Sequence, residues 1–444
     1  MSAISVQLSK VYRYKGHFRE GAWVAIGQVA SLTGMILLIR VLTASMSPDE
    51  YGKLALGLTL AVMINQTVMG GIALSITRCY SLAQREDDMG GYILGSIRLL
   101  GGAALIVAAI SIITLIVLNL TGNSASSSIA LGALCLSVFQ GINASISGIQ
   151  NAARNRSVVA FHSGLEAWLR IAFVVLLAIF SNLDGALVIV AYICTSAAVS
   201  LSQVLFLRGR LPKQMSSRRR NPSWLRQMTQ SSLPFACWGG FSFAQQASDR
   251  WALEAFRSTY EVGQYVSLYQ LGHMPVAILI GMTLTYVAPI LYHKSGDLRD
   301  SSSNADVHRL GWTIAFIALA VTAIGSVLAA LMHTLIFEIA VAPNYRSLSW
   351  LLPVMVLAGG IHGTGEIIAI KLVSELRVKD MTMAKITTSL LGLGLNILGA
   401  WLAGPVGIAV AILLYSIISL ISMAQLGRKS YSHESMRAEL ASRT

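Results

Sequence analysis

The chain has 444 residues, 55% of them hydrophobic and only 12% charged, and a mean hydropathy of +0.65. These proportions exclude an ordinary soluble domain. The formal charge of +13 is scattered over many separate basic segments, which makes it a topology signal and argues against a nucleic-acid footprint.

Apolar runs of about 20 residues, enough to cross about 30 Å of hydrocarbon as helix, recur along the whole sequence. They predict transmembrane helices near 20–43, 52–78, 92–118, 128–150, 157–180, 185–207, 229–253, 263–291, 309–334, 347–371, 382–403 and 405–426. Continuous β-barrel alternation is absent. The first span follows Lys10, Arg13, Lys15 and Arg19 with no short apolar core or cleavage site, so no cleavable signal peptide is expected. Further basic residues collect on alternate connections: Arg78 and Arg85, Arg154 and Arg156, Arg208 to Arg226, Lys294 to Arg309, Lys371 to Lys379, and the C-terminal tail. The opposite loops keep Lys53, Arg257 and Arg346. Basic loops stay in the cytoplasm, so both termini are expected inside. Trp23, Trp224, Trp251, Trp312 and Trp350 lie near span ends, where they read as interfacial anchors.

The longest basic connection carries Pro212, Ser216, Ser217 and Pro222, as a linker should. It divides the chain into a six-helix bundle (1–207), a cytoplasmic linker (208–228), a second six-helix bundle (229–426) and a cytoplasmic tail (427–444). The bundles share features in the same order. Pro48-Asp49-Glu50-Tyr51-Gly52 joins spans one and two, and Thr259-Tyr260-Glu261-Val262-Gly263 joins spans seven and eight. Arg154-Asn155-Arg156 ends span four, and Arg377-Val378-Lys379 ends span ten. Six being even, the halves are expected to be parallel repeats about an axis along the membrane normal.

Polar residues form stripes inside these apolar spans. Gln140, Asn143, Ser147 and Asn151 share one face of span four, and Ser242, Gln245 and Asp249 one face of span seven. His162, Glu166 and Arg170 follow at i,i+4 in span five, and His362 and Glu366 in span ten. A charge at mid-bilayer costs about 2.5 to 3.5 kcal/mol even on lenient scales, so these faces are expected to turn to a hydrated chamber. Interhelical glue serves the Ser, Asn and Gln positions equally well. Glu166 one turn before Arg170 suits a local ion pair, and snorkelling to headgroups suits Arg40, Arg250 and Lys371. Cys79, Cys135, Cys194 and Cys237 lack metal-ligand spacing, and no nucleotide-cradling, hydrolase or metalloprotease motif occurs. Neither an enzyme nor a resident cofactor or metal is expected.

With Gly27-Gln28, Leu38-Ile39-Arg40-Val41-Leu42, the Pro48-to-Gly52 segment, Gln150-Asn151-Ala152-Ala153-Arg154 and Asp249-Arg250 to Gly263, the chain resembles the polysaccharide flippase (Wzx, oligosaccharide-lipid translocase) family. That family belongs to the multidrug/oligosaccharidyl-lipid/polysaccharide (MOP) exporter superfamily. The resemblance implies an all-α, MATE-like membrane protein of about twelve helices, its two bundles related by pseudo-two-fold symmetry. It also implies a bacterial inner-membrane location and an undecaprenyl-pyrophosphate-linked oligosaccharide as substrate. The same likeness implies ion-coupled alternating access, with a polysaccharide polymerase and chain-length proteins as partners. Carried onto this sequence, it implies diphosphate contacts at Arg170, Arg40 and Arg250. Cavity-lining polar groups would be Gln28, Gln140, Asn143, Ser242 and Gln245, and ion-coupling groups Asp249, Glu166 and Glu366. The rival readings are a multidrug antiporter of the same superfamily and a membrane glycan polymerase or ligase; short outer loops argue against the latter. A scaffold or scramblase is a third.

Overall fold

In a computed structural model that describes residues 3–122, 127–208, 223–295, 301–375 and 377–428, each expected span coincides with helix. The first six are α1 (Ala3–Ser45), α2 (Pro48–Arg85, interrupted by a π-turn at Asn65–Met69), α3 (Met89–Leu120), α4 (Ser127–Ala152), α5 (Arg156–Phe180) and α6 (Gly185–Arg208). The rest are α7 (Ser223–Phe256), α8 (Thr259–Ser295), α9 (Ser301–Ala340), a 3₁₀ turn Pro343–Leu351 leading into α10 (Leu352–Ser374), and a final helical stretch Val378–Arg428. Ala403 and Gly404 break that stretch, giving α11 (378–402) and α12 (405–428).

Among the described residues, ten helical stretches are long and apolar enough to cross a membrane. The last of them is the α11–α12 pair. α7, with 34 residues, is also long enough for a span, and it carries Gln245, Gln246, Asp249 and Arg250 towards its end. The chain is a multi-pass, all-α membrane protein. Its outward surface fits lipid as solvent: Leu105 on α3 and Leu331 on α9 are 73% and 75% exposed.

The turns between helices have local causes. Ser47 accepts from the Glu50 N–H ahead of Pro48 at the start of α2, and Asp184 accepts from the Leu187 N–H at the start of α6. At the α11–α12 corner Gly404 takes φ +58°, which disfavours a side chain, and Pro405 follows. Arg257 donates to the Ala400 and Trp401 carbonyls there, both at 3.1 Å, satisfying the end of α11.

The chain forms two compact units, Met1–Ala244 and Gln245–Thr444, so the division falls inside α7. Most of the linker expected at 208–228 lies outside the described residues, as does the tail beyond Arg428. In unit 1, α5 packs on α1 and α6, while α4 packs on α2, α3 and α6. In unit 2, α10 is central, packed by α8, α9 and the α11–α12 pair.

Trp224 departs from its expected role. It is 1% exposed in the core of unit 1, and its indole N–H donates to Asp88 at 2.9 Å. A buried indole needs such an acceptor, and Asp88 also receives the Gly91 N–H at the start of α3. Trp23, Trp251 and Trp350 do face outward. Lys371 does not snorkel either: fully buried, it donates to the Gly427 carbonyl at 3.0 Å and pairs with Glu375 at 2.8 Å. With Arg377, which donates to the Leu426 carbonyl, it caps the end of α12.

Candidate functional site

In unit 1 the polar stripes of α4 and α5 meet α6 around a cavity of about 260 Å³. Gln140, Asn143 and Ser147 line it from α4, His162, Glu166 and Arg170 from α5, and Gln203 from α6. Arg170 donates to Glu166 at 2.5 Å, one turn back on the same helix, and its guanidinium lies 5.0 Å from the centre of the Tyr192 ring. Both side chains of the pair keep about a quarter of their surface, 26% and 25%. The Arg170 Nε is buried without a hydrogen-bond partner among the described residues. An unsatisfied guanidinium N–H is costly, and an anion reaching it would remove that cost.

The neighbouring groups divide into those already bonded and those less firmly held. His162 is satisfied, with Nδ1 at 2.8 Å from the Val158 carbonyl and Nε2 at 3.1 Å from Ser202. Asn143 donates to the Ser196 carbonyl at 3.2 Å and accepts from Ser200 at 2.6 Å, so it ties α4 to α6. Gln140 accepts from Asn65 at 2.8 Å, beside the π-turn of α2. Ser147 donates to Gln203 over a longer 3.3 Å.

Gln28 and Arg40 lie on α1 and are not part of this cavity wall. Gly27 and Gly34 let α1 approach α5, because a Cβ at either would lie 2.9 Å from the Cβ of Ala160 or Ala167 respectively. Both contacts share an offset of 133 residues (160 − 27 and 167 − 34), which brings Arg40 level with Phe173, about one turn beyond Arg170.

The remaining candidates belong to unit 2. Asp249 is 2% exposed, and it accepts from the Tyr265 hydroxyl at 2.5 Å and from the Arg250 backbone N–H at 2.7 Å. The Arg250 guanidinium reaches back to Asp249 at 3.5 Å and lies 4.8 Å from the Tyr269 ring centre, so it is held among protein groups. Tyr269 stacks on His273, with ring centroids 4.7 Å apart and planes 13° apart. Gly359 of α10 lies against His273, and His362 follows three residues later. His362 is 5.5 Å from Tyr415 of α12, and Glu366 forms an ion pair with Lys385 of α11 at 2.6 Å. Gln245 is half-buried on α7, while the side chain of Ser242 lies outside the described residues.

Thus Arg170, Glu166, Gln140 and Asn143 share one cavity, whereas Asp249, Arg250 and Glu366 belong to the other unit. Sequence reasoning passed over Gln203, Tyr192, Tyr265, Tyr269 and Lys385. Two of these carried a readable signal. Lys385 begins the stripe that continues with Thr388, Gly392 and Asn396, and Gln203 continues one from Ser196 and Ser200.

The fold, all-α with polar interiors in two helical units, is shared with solved transporters of the MOP superfamily. A multidrug-resistance MATE transporter in an inward-facing conformation matches with a TM-score of 0.69 over 93% of this chain and 96% of its own. The lipid II flippase MurJ, in an inward closed conformation, matches at 0.70 over 93% and 88%, and a MOP transporter from Pyrococcus furiosus at 0.59 over 92% and 95%. Each is 13% identical, so the likeness is one of fold. The chain belongs to the family described as polysaccharide biosynthesis protein, whose profile matches residues 18–293. Among curated proteins, none matches.

Proposed function

We propose that this protein is a flippase that carries undecaprenyl-pyrophosphate-linked oligosaccharide from the cytoplasmic to the periplasmic leaflet of the bacterial inner membrane, for O-antigen, capsule or exopolysaccharide assembly. Its termini are cytoplasmic in this reading, and alternating access is coupled to an ion. The observation that carries the proposal is the unit 1 cavity with Arg170 in its wall, in a chain whose family serves polysaccharide biosynthesis. Sugar hydroxyls and a diphosphate cannot cross hydrocarbon cheaply without hydrogen-bond partners, and a polar hollow supplies them.

At about 260 Å³ the cavity falls below the roughly 300–1,000 Å³ of pockets for drug-sized ligands, so it takes one phosphate or one sugar ring of the headgroup. Arg170 offers a planar fork of donors suited to phosphate. Arg40, one turn beyond, and Arg250 supply further positive charge. Gln28, Gln140, Ser242 and Gln245 meet sugar, and Glu166, Asp249 and Glu366 are the carboxylates that the family resemblance offers for ion coupling.

The test is Arg170→Gln and Arg170→Lys in a flippase-null strain. Surface glycan should fall at least tenfold with glutamine at equal protein level, and lysine should restore part of it, keeping the charge without the fork. Undiminished glycan with Arg170→Gln at normal protein level overturns the role of Arg170. Unchanged glycan together with lost drug resistance would favour a multidrug antiporter.

A further inference from the structure

We propose that the ion-carrying element of unit 2 is the imidazole pair His273 and His362, and that the ion it carries is a proton and not an alkali cation. The inference rests on the coupled-transporter reading above and moves the coupling role from the carboxylates to the histidines.

The carboxylates are already engaged. Asp249 is held by the Tyr265 hydroxyl and by Arg250, and Glu366 by Lys385. Two acids and two bases leave this interior without net formal charge. A sodium ion needs several hard oxygen ligands. Here it would have to take them from carboxylates that each bring a cation, in a medium where like charges repel far more strongly than in water.

The imidazoles are differently placed. The Nδ1 atoms of His273 and His362 are buried and have no hydrogen-bond partner among the described residues. Both side chains keep part of their surface. A neutral imidazole nitrogen is a good proton acceptor and a poor ligand for an alkali cation. The surrounding helices hold the pair in place. Tyr269 stacks on His273 from one side with Arg250 of α7 behind it, and Gly359 has no side chain to keep α10 away. Tyr415 of α12 flanks His362, and α9 brings Thr322 against Gly360.

Protonation has a mechanical consequence. His362 lies one turn before Glu366 on α10, while Lys385 reaches Glu366 from α11. A proton from water on the imidazole lone pair creates a second cation competing for that carboxylate. The pair binding α10 to α11 is then weakened in favour of one within α10. Loss of the proton to water reverses the exchange, and no covalent bond other than N–H is made or broken.

The experiment is nitrogen NMR of the purified full-length protein, labelled at histidine, in lipid nanodiscs. His273→Gln and His362→Gln assign the signals. Both imidazoles should take up a proton as the pH is lowered, and exchanging sodium for choline should leave them unmoved. In a null strain the double variant should lose glycan export at least tenfold at equal protein level. Absence of titration overturns the proposal, as do sodium-dependent shifts or full export by the double variant. The titration needs no glycan, so a wild-type chain that fails to restore surface polysaccharide sinks the flippase reading separately.

Discussion

The polar interiors of the two units differ in how their charge is built. In unit 1 the ion pair seen at the cavity among the described residues, Glu166 with Arg170, lies on successive turns of α5, and around it stand amides, the hydroxyls of Ser147 and Ser163 and a satisfied histidine. In unit 2, α7, α8, α10, α11 and α12 each contribute a charged or titratable side chain, and the Glu366–Lys385 pair joins two helices. A pair within one helix leaves helix packing alone when it breaks, so its arginine can be lent to a ligand. A pair across helices cannot break without altering their contact, so it suits a change of state. On the proposed reading, unit 1 recognises the headgroup and unit 2 switches.

The largest expected effect tests that contrast through stability. Lys385→Met leaves Glu366 as an uncompensated charge. Breaking a fully buried pair costs about 3–5 kcal/mol, but Glu366 keeps 34% of its surface, so about 2 kcal/mol is expected. Lys385→Met with Glu366→Leu should recover most of it. Arg170→Gln, which removes an i,i+4 pair, should cost about 0.5 kcal/mol or less although it is expected to lower export. Denaturation of the purified proteins in detergent measures all three. If Arg170→Gln destabilises as much as Lys385→Met, the arginine in the cavity is a structural element and the contrast fails.

A smaller effect sharpens the same comparison. Glu166 holds part of the Arg170 charge, so Glu166→Gln should free it and tighten binding of inorganic pyrophosphate by about 3–10-fold, on the order of 1 kcal/mol. Titration calorimetry with the purified protein checks this, with Arg170→Gln as the non-binding control. Unchanged or weaker binding would mean that the acid orients the arginine instead of competing for it.

Helices and their order were readable because the membrane imposes a length and a hydropathy that few other solvents would select. The local pair of α5 was readable too, since a 3.6-residue period places Glu166 and Arg170 on one face with no knowledge of the neighbours. Contacts between helices were not. Trp224 has the composition of an anchor, and only packing reveals Asp88 beside it. Lys371 has the stem of a snorkelling lysine, but its target is a helix end 56 residues away. Lys385 was passed over although it stands one turn before Thr388 on the same face, and its partner depends on how α11 meets α10. Sequence period predicts which residues share a face and does not say what that face meets.

The smallest expected effect separates glue from lining at two positions one turn apart. Asn143 is 6% exposed and makes two hydrogen bonds to α6, whereas Ser147 makes one long bond to Gln203. Interhelical bonds in membranes average about 0.6 kcal/mol and reach about 1.7, so Asn143→Ala should cost about 1 kcal/mol and Ser147→Ala no more than about 0.5. Export should respond in the opposite order. A residue spent on helix packing offers little to a sugar, so Asn143→Ala should lower export only as far as it lowers protein level. Ser147→Ala should slow export about twofold at unchanged level, because a loosely held hydroxyl is free to change partner when a ligand enters. Surface glycan normalised to protein in the membrane reads both. If Asn143→Ala slows export per molecule while Ser147→Ala does not, the polar face of α4 contacts substrate through its buried end, and the division drawn between bonded and available groups in unit 1 is wrong.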